Sequence, residues 1–165
     1  NFKVTFVDTG LETMTGGRVK RLKKHLNNER FMLTYGDGLS NVNLNKLLRH
    51  HIKHKKIATV TAVHPPARFG QISIKSNKVK EFSEKKVAKN QWINGGFFVF
   101  EPEVLNYISS DKTVLEAEPL TNLAKKGKLL AYKHEYFWQC MDTMKDRNYL
   151  EYLWKNKPPW KRWKK

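Results

Sequence analysis

The run Phe31-Met32-Leu33-Thr34-Tyr35, broken off by Gly36-Asp37-Gly38, limits the fold of this chain more than any other stretch. It is an apolar, partly aromatic run short enough for a buried strand. A helical pattern begins soon after it at Asn43-Leu44, and a β-branched run follows from Ile57 to Val63. Upstream, Phe2-Lys3-Val4-Thr5-Phe6-Val7 alternates like a strand, and Val19, Leu22 and Leu26 have helical spacing. The order strand, helix, strand, helix, strand predicts an α/β fold with a parallel sheet. Such sheets bind ligands beyond the carboxyl ends of their strands, where Asp37 would stand between two glycines. Small flanking residues leave room there for a metal-bound phosphate. A plain turn explains the same triplet, because Asp and Gly are common turn residues.

With 165 residues, 39% of them hydrophobic, the chain is long enough for one domain with a real core. No apolar run approaches the ~20 residues that cross a bilayer, and no charged-then-apolar leader opens it. Cys140 is the single cysteine, so an internal disulfide is excluded and a cytoplasmic location is expected. Lys and Arg total 32 against 15 Asp and Glu, a formal charge of +17, which raises nucleic acid as a partner. The lysines are scattered, however, and no zinc-finger spacing or RNA-binding aromatic motif accompanies them. A solvated basic surface is the better reading, and it would favour an anionic small-molecule substrate.

Several local signals position chemistry. Thr15 can cap the helix that follows it, while the N–H groups of Gly16 and Gly17, with Arg18 nearby, can meet an anion or a base edge. His50 and His54 have a zinc-compatible spacing but no third ligand, so metal binding is not expected of them. Pro65-Pro66-Ala67-Arg68-Phe69-Gly70 is a stiff loop before a hairpin, Gln71–Ile74 and Val79–Phe82, turning at Ser76-Asn77. The strand Trp92–Phe100 contains Gly95-Gly96, costly there unless a bulge or a ligand presses on the backbone. Helices are predicted from Glu101-Pro102 through Ile108, from Glu118 to Lys126 with a stop at Gly127, and from Arg147 to Trp154, with a strand at Leu129–Tyr132. Asp142 precedes the last helix and could serve as its N-cap. The tail Lys157–Trp163 is basic and aromatic, and is expected to pack on its own tryptophans or on a neighbouring subunit.

Taken in order, Thr15-Gly16-Gly17-Arg18, Tyr35-Gly36-Asp37-Gly38, the Pro65–Gly70 loop, Phe82-Ser83-Glu84-Lys85, Ile93-Asn94-Gly95-Gly96 and Trp138-Gln139-Cys140-Met141-Asp142-Thr143 resemble the sugar-nucleotidyltransferase family. The resemblance runs along essentially the whole chain and is nearest to the branch that joins CTP to glucose 1-phosphate. It implies a Rossmann-like mixed, mainly parallel sheet and a Mg²⁺-dependent transfer giving CDP-glucose and pyrophosphate. It implies that Asp37 and Asp142 are metal ligands, and that Lys85 holds the sugar phosphate and takes part in catalysis with Arg18. Glu84, Asn94 and Gly95 would contact the sugar; Thr15, Gly16, Gly17, Arg18 and Gly36 would meet the nucleotide. Residues 1–135 then carry the sugar-binding side, and residues 136–165 add the second acid, the last helix and the tail of the same domain. Homo-oligomers are implied for the full-length protein.

Three departures stand out. Lys86 replaces the family's usual proline after Glu84-Lys85, and Cys140 stands where proline often precedes Met-Asp. The family's Gly-x-Gly-Thr-Arg loop, which holds the triphosphate, has no counterpart in these 165 residues. A fragment or a truncated product is the expectation, one that by itself self-associates or is poorly stable and lacks transferase activity. Other sugar-1-phosphate nucleotidyltransferases using dTTP, UTP or GTP, a basic nucleic-acid-binding module, and an inactive remnant are the competing readings.

Overall fold

Two compact units divide the chain: residues 1–34, 44–60 and 97–132 form one, and residues 35–43, 61–96 and 133–165 the other. The computed structural model describes residues 2–66, 68–83 and 91–162.

In the first unit, helix α1 (Thr15–Arg21) tightens into a 3-10 turn over Leu22–His25. Strand β1 (Phe31–Thr34) follows, and helix α2 (Leu44–His54) buries Leu47 and His51. Strands β3 (Ala58–Val63), β6 (Ile93–Phe100) and β7 (Leu129–His134) join β1 in one sheet of order β1-β6-β3-β7. Strand β6 is antiparallel to β1, with Phe31 opposite Phe100 and Thr34 opposite Phe97. It also runs against β3: Glu101, just past its end, bonds the Ile57 carbonyl, while Gly95 near its start lies against Thr61 and Val63. Strands β3 and β7 begin side by side, the Ala58 N–H donating to Lys128. The sheet is therefore mixed. The helix-linked strands β1 and β3 do point the same way, and a later strand is inserted between them in the opposite sense.

Phe98, Val99 and Phe100 are wholly buried, and the rings of Phe98 and Phe100 stack with centroids 5.2 Å apart. Each such side chain contributes roughly 1.5–3 kcal/mol of burial. Helix α3 (Glu118–Lys125) carries Leu120 and Leu123 into the same unit and ends before Gly127, whose φ of +62° suits a glycine stop. Over nearly the span where a helix is expected, Pro102–Tyr107 forms a 3-10 helix.

Residues 2–7 correct another expectation. They form no strand, and Phe2 and Phe6 are 99% and 95% exposed. Alternation makes a strand only where a neighbour supplies hydrogen bonds and a face to bury. Among the described residues nothing does so here.

The second unit holds two small ladders. Strand β2 (Gly38–Ser40) pairs antiparallel with β8 (Trp138–Cys140), and β4 (Gln71–Lys75) with β5 (Lys78–Ser83). The β4–β5 turn has positive φ at both Ser76 and Asn77, +46° and +63°, the conformation that matches hairpin twist. Helix α4 (Met144–Asn156) is capped by Thr143, which forms a reciprocal capping box with Asp146. Trp160 stacks between Phe137 and Trp154, so the tail as far as that ring is packed on its own unit; Trp163 lies outside the described residues. Among the described residues no helix is long and apolar enough to cross a membrane.

Candidate active site

The site grows out of the β2–β8 ladder. Leaving β1, the chain passes Asp37 and enters β2, where Gly38 lies opposite Cys140 and Leu39 opposite Gln139. The Met141 N–H donates to the Asp37 carbonyl at 2.9 Å, extending the ladder by one bond. That register sets Asp37 opposite Met141, one residue short of Asp142. Ser40 fastens it further: its hydroxyl donates to the Phe137 carbonyl at 3.0 Å and lies 3.1 Å from the His134 Nε2.

Around this ladder is a cavity of about 670 Å³. Asp37, Gly38, Cys140 and Asp142 line one side; Pro65, Pro66, Arg68, Phe69 and Gly70 form a second wall; Ile93, Asn94, Gly95 and Trp138 supply a third. Both aspartates thus open onto one space. Asp142 is not the helix cap that its position allowed, since Thr143 has that role. Its carboxylate instead accepts from Arg68 Nη2 at 2.6 Å and from the Cys140 thiol at 3.3 Å. The Arg68 bond, followed by the thiol bond, holds the Asp142 carboxyl below the usual carboxylate range. Burial, reinforced by the nearby Asp142 and opposed by Arg68, pushes the Cys140 thiol up.

The double glycine of β6 has a cause inside the protein. A Cβ on Gly95 would stand 2.8 Å from Val63 Cγ1 and 2.9 Å from the Thr61 carbonyl. Gly96 has φ of +74°, and a Cβ there would meet the Tyr35 ring at 2.6 Å. Neighbouring strands therefore demand both glycines, with no ligand needed to explain them. The Asn94 side chain serves the same bend: its amide donates to the Tyr35 hydroxyl at 2.9 Å and its carbonyl accepts from the Gly96 N–H at 2.8 Å. Trp138 Nε1 donates to the Gly95 carbonyl at 2.7 Å, fixing the third wall.

Thr15, Gly16, Gly17 and Arg18 lie in the other unit, at the start of α1, and their polar groups already have partners. The N–H groups of Gly16 and Gly17 both donate to the Thr113 carbonyl, at 3.0 and 3.3 Å. They are not the open anion site that the glycine pair suggested, because the loop around Asp111 and Thr113 packs directly on them. Thr15 does not cap its helix either. The N-cap is Met14, while the Thr15 hydroxyl donates to Glu116 at 2.8 Å and accepts from the Leu115 N–H at 2.9 Å. The exposed Arg18 guanidinium donates to Thr9 Oγ1 and to the Leu11 carbonyl. Gly36 is exposed, with nothing within 4 Å of where a Cβ would stand. Glu84 and Lys85 lie outside the described residues.

Arg68, Trp138 and Tyr35 stand in the motifs that carry the family resemblance, but the sequence named none of them as a site residue. The signal was available for the first two: an arginine in a stiff Pro-Pro loop, and a tryptophan just before the segment that delivers the second acid. His50 and His54 stack on each other at 4.3 Å, and no group of three or more metal-ligating side chains occurs among the described residues.

Comparison with known proteins agrees with this architecture. The chain is 47% identical over 164 residues to glucose-1-phosphate cytidylyltransferase of Salmonella typhimurium, covering 98% of this chain and 64% of that protein. It is 42% identical, with the same coverages, to the probable glucose-1-phosphate cytidylyltransferase of Bacillus subtilis. The chain thus spans 64% of the length of these relatives. Among solved structures, a putative glucose-1-phosphate thymidylyltransferase from Bacillus anthracis in complex with a sucrose superimposes with a TM-score of 0.64. The identity is 17%, over 94% of this chain and 65% of that one, so the likeness is one of fold. The profile of the nucleotidyl transferase family matches residues 10–150, and on that match, with the shared fold, the chain belongs to this family.

Proposed function

We propose that this chain seats glucose 1-phosphate and a divalent cation for nucleotidyl transfer from CTP, the reaction that yields CDP-glucose and pyrophosphate. The observation that carries the reading is the β2–β8 register, which brings Asp37 and Asp142 from distant parts of the sequence onto one cavity. The donor set fits Mg²⁺. That ion takes hard oxygen ligands in a small shell, usually one or two carboxylates completed by phosphates and water. Asp37 is exposed to the cavity, and Asp142 is kept ionised by Arg68. Bound Mg²⁺ would supply neutralisation of phosphate charge.

In the reaction a phosphate oxygen of the sugar phosphate forms a bond to the α-phosphorus of CTP. The bond from that phosphorus to the bridging oxygen breaks, and pyrophosphate leaves with the electron pair. Such chemistry depends mainly on alignment. The prolines at 65 and 66 make one wall stiff, and Trp138 and Asn94 hold the strand end opposite it. The family resemblance supports Lys85 as the residue that grips the sugar phosphate, Glu84 and Asn94 as hydroxyl partners, and Gly95 as the sugar's backbone neighbour. The same resemblance supports Arg18 as a residue of the nucleotide side. The cytidylyltransferase names of two relatives support CTP.

Pyrophosphate release with CTP, dTTP, UTP and GTP, each offered with glucose 1-phosphate, tests the proposal in a chain of the relatives' full length. CTP is expected to be preferred. Asp37→Asn and Asp142→Asn should each lower the metal-dependent rate ~100-fold or more, since even groups that merely orient ligands matter ten- to a hundredfold. Undiminished turnover in both variants would sink the assignment.

A further inference from the structure

We propose that Arg68 is a built-in counter-ion of the cation position at Asp142, occupying that carboxylate until a divalent cation arrives and then turning to substrate phosphate. The inference rests on the function proposed above and adds a residue to it. Arg68 Nη2 lies 2.6 Å from Asp142 Oδ2, and 3.6 Å from Asp146 Oδ2. The same nitrogen also lies 3.5 Å from the Cys140 sulfur. All three contacts pass through one guanidinium nitrogen, so the pair lacks the two-pronged grip of a rigid arginine–carboxylate fork. Both side chains are about half open to solvent, 44% for Arg68 and 46% for Asp142. An ion pair of that kind exchanges readily and adds little to stability.

Asp142 does not need Arg68 to stay in place. The β2–β8 ladder holds the backbone on one side, and the Thr143–Asp146 capping box holds it on the other. What Arg68 supplies is charge. Two carboxylates face one cavity, and among the described residues it is Arg68 that offsets the charge of the second. A cation at Asp142 and a guanidinium on the same carboxylate repel each other, so occupancy by one weakens the other. Arg68 has somewhere to go when displaced. Its neighbours Pro65, Pro66, Phe69 and Gly70 line the same cavity, so a freed guanidinium remains on the wall where a phosphate would sit.

The opposite role is a clasp that orients Asp142 for its ligand, and the two roles differ in sign. Mn²⁺ serves as the probe, its binding without nucleotide to a chain of the relatives' full length read from loss of the free-ion signal in electron paramagnetic resonance. Arg68→Gln is expected to bind Mn²⁺ about two- to fivefold more tightly than the parent, the range a half-exposed ion pair commands. Arg68→Lys, which keeps a cation on a shorter and more mobile arm, should fall between them. Asp142→Asn should lose the site. Unchanged or weaker binding in Arg68→Gln overturns the counter-ion role, as does Arg68→Lys binding no more tightly than the parent. The function reading survives those results provided the parent binds Mn²⁺ and Asp37→Asn does not. A parent chain that binds no Mn²⁺ overturns both.

Discussion

Thr15-Gly16-Gly17-Arg18 and Tyr35-Gly36-Asp37-Gly38 look alike on paper, each a set of glycines beside a charge at the edge of a regular element. In the folded chain they serve different ends. A Cβ on Gly17 would stand 2.5 Å from the Asp111 carbonyl oxygen, and the N–H groups of the first stretch are spent on Thr113. A Cβ on Gly36 would meet nothing within 4 Å, and the neighbouring Asp37 opens onto a cavity. One glycine pair lets a helix touch a loop; the other set leaves space. Glycine in a motif therefore says that something is close or that something must be free to approach. Only the neighbours say which.

That contrast is open to direct attack. Gly17→Ala should destabilise the chain by about 2 kcal/mol, read as a lower urea midpoint. Overpacking against backbone costs ~1–3 kcal/mol, and the helix propensity that alanine gains, ~0.8–1 kcal/mol, offsets only part of it. A variant as stable as the parent would mean the loop around Asp111 yields freely, and the packing account would fail.

The second test concerns acid. His51 is wholly buried, its Nδ1 2.8 Å from Thr59 Oγ1 and its Nε2 3.1 Å from Glu101 Oε1. Burial, opposed by Glu101, lowers its pKa from the ordinary 6.5. The unfolded chain then binds more protons than the folded one between the lowered value and 6.5. The contribution of His51 is thus complete above the ordinary value and is lost as pH falls through that window. His134, likewise depressed by burial, adds the same sign in the other unit. Melting temperature should drop as pH is taken from 7.5 toward 5.5, and His51→Gln should flatten the slope. A slope identical in the variant would remove His51 from the account.

The smallest effect belongs to Gly36→Ala, expected within ~0.5 kcal/mol of the parent, because the new methyl meets open space and the backbone there is not left-handed. A loss as large as that of Gly17→Ala would erase the distinction between the two stretches.

Much of the fold was legible residue by residue. The hairpin turning at Ser76-Asn77, the strand through Phe98 to Phe100 and the glycine stop at 127 all follow from local chemistry that the structure retains. The strand expected at residues 2–7 was misread for the complementary reason: its alternation is real, but a strand exists only with a partner, and partnership is not a local property. The same holds for β2. Its residues Gly38–Ser40 carry no strand signal of their own, yet they pair with Trp138–Cys140.

The amino-acid order by itself set the identity of most elements and the sequence positions of both acids, since hydrophobic period, turn residues and caps act over a few residues at a time. Tertiary structure alone decided that β6 runs against its neighbours, that the α1 glycines face a loop, and that Arg68 lies on Asp142. Each of those facts joins segments far apart in the chain. Which distant group fills a gap, or answers a charge, is settled by packing of the whole and not by the spacing of any motif.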